Sequence, residues 1–124
     1  MTVFHRLGFV LPVAMPILLV VSHQFGFWYA IPMFVFVLVP ILDHFLGDYL
    51  TNPSPRELDE LQSTSFFNAI LFLYVPLQFG LLIWACLTSV GLTWPSLLVL
   101  ALSVGIVTGG IGITVAHELG HRRA

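Results

Sequence analysis

The chain has 124 residues and a formal net charge of -2, and is 58% hydrophobic with only 8% charged side chains, against roughly 25% charged in an ordinary soluble domain. Such a composition cannot cover a water-facing surface, and a mean hydropathy of +1.00 makes lipid the solvent for most side chains. With no lysine and four dispersed arginines, there is no basic patch for nucleic acid, which is excluded as a partner.

The start, Met1 to Arg6 and then apolar Leu7 to Val21, has the outline of a signal peptide. Ser22, His23, Gln24 and Phe25 follow in place of a small-residue cleavage site, however, so no cleavage is expected. From Leu7 to Leu42 no side chain carries a full charge. A straight helix of that length would run roughly 54 Å, against about 30 Å of bilayer core. The run must fold back, and Ser22-His23-Gln24 followed by Gly26 is the expected turn. Two helices result, about Leu7 to Val21 and Phe27 to Leu42. The first is short, which leaves a membrane-dipping hairpin as the alternative to two full crossings. Pro12, Pro16, Pro32 and Pro40 are expected to kink these helices.

Residues Asp43 to Ser65 form the only substantial polar segment. Asn52-Pro53 signals a turn, and Ser54-Pro55-Arg56-Glu57 has the order of N-cap, first-turn proline and first-turn acid that opens a short helix. The acids Glu57, Asp59 and Glu60 are assigned to its solvated face. Leu61 to His117 is again free of charge and would run roughly 85 Å as one straight helix. Thr88-Ser89-Val90-Gly91 and Thr93-Trp94-Pro95 supply the reversal, giving helices near Phe66 to Leu87 and Pro95 to His121. The single cysteine, Cys86, has no internal disulfide partner and reads as a small buried filler. Gly105 and Gly109, one turn apart and followed by Gly110 and Gly112, are expected to allow close helix packing; the competing use is room for an apolar substrate.

The expected fold class is therefore all-α: a polytopic membrane protein of about four transmembrane helices, arranged as two hairpins in a single unit over residues 1–124. Continuous apolar runs of this length exclude barrel strands. Four crossings put both termini and the 43–65 connection on one side. Arg6, Arg56, Arg122, Arg123 and every acidic residue fall there, so the positive-inside rule makes that side cytoplasmic and the membrane a cell inner membrane. Trp28, Trp84 and Trp94 fall near the opposite face as an interfacial belt.

His117-Glu118-Leu119-Gly120-His121 places two imidazoles one turn apart on one helix face, within reach of one metal ion. The spacing also matches the zinc-protease pattern, in which the glutamate is the base, but it does not choose a metal, because imidazole suits zinc and iron alike. His117 and His121 are the expected ligands; His44 lies on the same side and could approach them.

Leu42-Asp43-His44-Phe45-Leu46-Gly47-Asp48, then Asn52-Pro53, then Thr114-Val115-Ala116-His117-Glu118-Leu119-Gly120-His121-Arg122 resemble the N-terminal part of the bacterial alkane 1-monooxygenases. These are membrane di-iron enzymes of the fatty acid desaturase and hydroxylase group. The order of parts resembles the family throughout: hairpin, polar connection, hairpin, first histidine box. The family has a second aspartate where Tyr49 stands here, so the resemblance carries no role to Asp48 or Tyr49. It implies two histidine-ligated irons, with His117 and His121 as iron ligands and Glu118 orienting a ligand. It further implies hydroxylation of the terminal methyl of an alkane or related alkyl substrate with dioxygen, with electrons from rubredoxin and rubredoxin reductase. The family's later histidine boxes are absent, so this chain is expected to be a fragment that is inactive alone. The alternatives are a membrane-embedded zinc metalloprotease, with Glu118 as base, and a non-catalytic membrane protein.

Overall fold

A computed structural model describes residues 10–46 and 65–121, together with the side chains of all of these except Leu46, Phe67, Glu118 and His121. The expected helix after Ser54 lies outside the described residues. Within them the chain is helical, with no strand, and forms four helices: α1 (Leu11–Gln24), α2 (residues 30–46), α3 (Ser65–Ser89) and α4 (residues 94–121). Asn68–Ser89 and Trp94–His117 are long and apolar enough to cross a membrane, while α1 and α2 are shorter apolar helices.

The first reversal comes later than the sequence suggests. Ser22, His23 and Gln24 are the last turn of α1 rather than the turn itself. Gly26 follows with φ +80, and the amides of Gly26 and Phe27 donate to His23 O at 3.1 Å and Ser22 O at 2.8 Å. This is a Schellman closure, which needs the left-handed residue that glycine supplies without strain. In the second reversal Gly91 has φ +82, and Leu92 N donates to Ser89 O at 3.3 Å. Thr93 is then the extended N-cap of α4, with Pro95 in the first turn, where its missing N–H costs nothing.

The prolines do less damage than expected for the same reason. Pro12 is in the first turn of α1, and only Pro16 sits inside that helix. Pro32 is third in the α-helical start Ala30–Met33 of α2. Ahead of Pro40 the backbone widens into a π turn, Phe34–Leu38, with Val39 N donating to Phe34 O. The wider turn lies where the proline has no amide to donate and its ring crowds the carbonyl four residues back.

The core is small: Met15, Leu19, Ile31, Leu81 and Val107, one or more from each helix, with Phe34, Val35 and Trp84 packed against it. The His23 ring lies 4.1 Å from that of Trp28 and 5.2 Å, edge-on, from that of Trp84. The ends of α1 and α3 are therefore side by side, and both reversals share one end of the bundle. Leu46, Ser65 and the C-terminal turns of α4 belong to the other. Outside this core the surface is apolar: Phe36, Phe72, Phe79, Ile83, Leu87 and Leu98 are all exposed. A stripe of this kind on every helix is what lipid solvates. Cys86 lies on that outer surface, contrary to the expected filler role; in lipid a thiol gains little by being turned inward.

Candidate metal-ligating end of the fourth helix

α4 is continuous to His121, so His117 and His121 lie in one helix, four residues apart. Four residues of α-helical rise separate them by about 6 Å along the axis on one face. His117 is exposed, as are Thr114, Ala116 and Gly120 around it, whereas Val115 is buried. The helix thus keeps one side on the bundle at Val115 while His117 lies on an exposed side. His44 is exposed near the end of α2, its ring 5.6 Å from that of Phe45. Among the described residues no three His, Cys, Asp or Glu side chains gather to hold a metal.

One turn of wider backbone precedes the histidines. Residues Val107–Gly112 form a π segment between the α-helical parts Trp94–Ile106 and Ile113–His121. A polar bridge from α3 grips it. Buried Tyr74, 2% exposed, donates from its hydroxyl to Gln78 Oε1 at 2.7 Å and lies 3.5 Å from Val107 O. Gln78 Nε2 donates to Thr108 Oγ1 at 2.7 Å. On the far side Thr114 Oγ1 donates to Gly110 O at 2.9 Å, giving a carbonyl of the wide turn another donor.

This bridge is what sequence reading missed. Its signal was present: Tyr74 and Gln78 are polar, one helical turn apart in an otherwise apolar run, a spacing that puts both on the same face. The glycines also divide differently from expectation. A Cβ at Gly105, Gly109 or Gly110 would meet nothing within 4 Å, whereas one at Gly112 would come within 3.2 Å of the Tyr74 hydroxyl oxygen. Close approach is therefore at Gly112, where the Tyr74 hydroxyl of α3 reaches α4.

An apolar groove of ≈ 480 Å³ opens between α1 and α3, lined by Pro16, Val20, Leu73, Pro76, Gly80 and Trp84 among others. It includes no residue of α4.

Comparison with known proteins shows what the chain is similar to. The chain is 39% identical over 92 residues to alkane 1-monooxygenase 2 of Pseudomonas aeruginosa, a match covering 71% of this chain and 24% of that protein. It is 32% identical over 110 residues to alkane 1-monooxygenase 1 of Alcanivorax borkumensis, covering 85% and 26% respectively. Against alkane 1-monooxygenase of Pseudomonas putida the identity is 30% over 103 residues, covering 79% and 25%. The chain is related to the alkane 1-monooxygenases. It spans about a quarter of the length of these relatives. No family model and no solved structure matches.

For a relative of alkane 1-monooxygenases, the donor set at the end of α4 is chemically suitable. Neutral imidazole nitrogens ligate iron well, and a pair separated by one turn can share one ion. Two such donors make up part of a ligand set, which leaves further ligands to come from elsewhere.

Proposed function

We propose that this chain is part of a membrane non-haem di-iron monooxygenase that hydroxylates the terminal methyl group of alkanes or related alkyl substrates. The similarity to several alkane 1-monooxygenases carries the proposal; the spacing of His117 and His121, one turn apart in α4, supports it. His117 and His121 hold iron, and Glu118 orients a ligand or its hydrogen-bond partner rather than acting as a protease base. Bound iron supplies dioxygen activation and transfer of one oxygen atom into a C–H bond, chemistry that belongs to the cofactor.

The chain's own part is positional. α4 holds two imidazoles in one register, the bridge from α3 holds α4, and the apolar outer surface admits a substrate that partitions into lipid. The histidine end, both termini and the 43–65 connection face the cytoplasm across an inner membrane, following the arginines at 6, 56, 122 and 123. Rubredoxin, reduced by its reductase, docks on that face as the electron donor. Since two imidazoles do not complete an iron site, the 124-residue chain alone turns over no alkane.

A chimera tests this: these residues replace the matched stretch of the Pseudomonas aeruginosa enzyme, and hydroxylation of an alkane that the unaltered enzyme turns over is measured with rubredoxin and its reductase. The chimera is expected to load iron and hydroxylate. His117→Ala or His121→Ala should abolish both, and Glu118→Gln should cost about 10- to 100-fold in iron affinity or rate. A folded, iron-loaded chimera without turnover would refute the assignment. Zinc-dependent peptide hydrolysis would replace it with the protease reading.

A further inference from the structure

At the opposite end of the bundle from His117, two buried polar atoms have no hydrogen-bond partner among the described residues: Nε2 of His23 and Oγ of Ser103. Ser103 is only 3% exposed. Leaving such a group unpaired costs about 1–3 kcal/mol, and two in a core this small is a burden that native proteins relieve. Both residues line the same small cavity, with Leu19, Ser22, Trp28 and Ile31 among its other walls. The space open there to the centre of a water-sized sphere is ≈ 10 Å³, at the lower edge of the roughly 10–15 Å³ that one ordered water requires.

The remaining polar wall completes the set. Ser22 Oγ donates its hydrogen to Leu19 O at 3.0 Å, so its oxygen keeps accepting capacity. We infer that this cavity is a binding site for a single structural water held by His23, Ser103 and Ser22. The water accepts from the Ser103 hydroxyl and donates to Ser22 Oγ; its third bond is to His23 Nε2, donated or accepted according to the imidazole tautomer. Three bonds is the usual number for a buried water. An apolar occupant would leave both orphan atoms unpaired. The water ties the last turn of α1 to α4 beneath the Trp28 and Trp84 rings that flank His23.

Solution NMR of the full chain in lipid nanodiscs tests the inference. A cross-peak between the His23 ring and water is expected, with nuclear and rotating-frame Overhauser effects of opposite sign, as long-lived water gives. Ser103→Val, which removes the hydroxyl and fills the space, should abolish it while the Trp28 and Trp84 indole signals persist. Should that variant fail to fold, Ser103→Ala, which takes one bond from the water, should reduce the cross-peak several-fold. No cross-peak in the native chain, effects of like sign, or a peak unchanged in both variants would overturn the site.

Discussion

Among the described glycines, Gly112 is the one that a neighbour closes off: an added Cβ would stand 3.2 Å from the Tyr74 hydroxyl oxygen. The nearest ring carbon of Tyr74 would be 3.9 Å away, which is ordinary van der Waals distance. Gly112→Ala should therefore be tolerated measurably better in a Tyr74→Phe background, where the 3.2 Å contact is gone. Tyr74→Phe alone should cost about 0.5–1.5 kcal/mol, the net worth of one hydrogen bond. A double-mutant cycle by reversible unfolding in detergent measures the coupling. Additive effects would mean that the α3–α4 approach is looser than the structure has it.

At the scale of an element, the register of α4 beyond the π segment Val107–Gly112 sets the face on which the histidines stand. Removing one residue from an α-helix rotates everything beyond it by about 100°, so deleting Ala116, in the α-helical part Ile113–His121, should swing His117 and His121 away from their present face. Gly110→Ala changes no register and meets no neighbour within 4 Å. In the active chimera, the deletion is expected to lower bound iron at least tenfold with helical content unchanged, whereas Gly110→Ala should keep its iron. Equal iron in both would show that helix register does not matter to the site. Wide turns of this kind occur often at functional positions, and here the geometric reason is the Tyr74–Gln78–Thr108 bridge bound to one side of it.

For the whole molecule, pairing of the His23, Trp28 and Trp84 rings places both reversals together. A reporter inserted at Gly91 should consequently report the opposite side of the membrane from one fused after Ala124. By the distribution of arginines, the Ala124 fusion should be cytoplasmic. Fusions reporting the same side would break the two-hairpin arrangement. The exposed apolar surface has its own consequence: Val90 is 81% exposed and Leu87 71%, so extraction should require detergent and dilution below its micelle concentration should precipitate the chain.

Much of this was legible in the linear chain because it depends on local chemistry and length. Uncharged runs too long for one crossing require reversals; glycines at 26 and 91 mark them; histidines at 117 and 121 share a helix face wherever that helix packs. The similarity to alkane 1-monooxygenases likewise rests on residues in order. What folding alone decided are relations between segments. The end of α1 ran through Gln24 because a Schellman closure, rather than the polar triplet, terminates it. Gly112, not Gly105 or Gly109, became the close contact because Tyr74 of α3 meets α4 there. The pairing of Gln78 with Thr108 and the shared cavity of His23 and Ser103 join residues far apart in the chain, and no helical period relates such positions. In an apolar sequence nearly every face can be buried or exposed at similar cost, so a few polar side chains that must find partners set the packing.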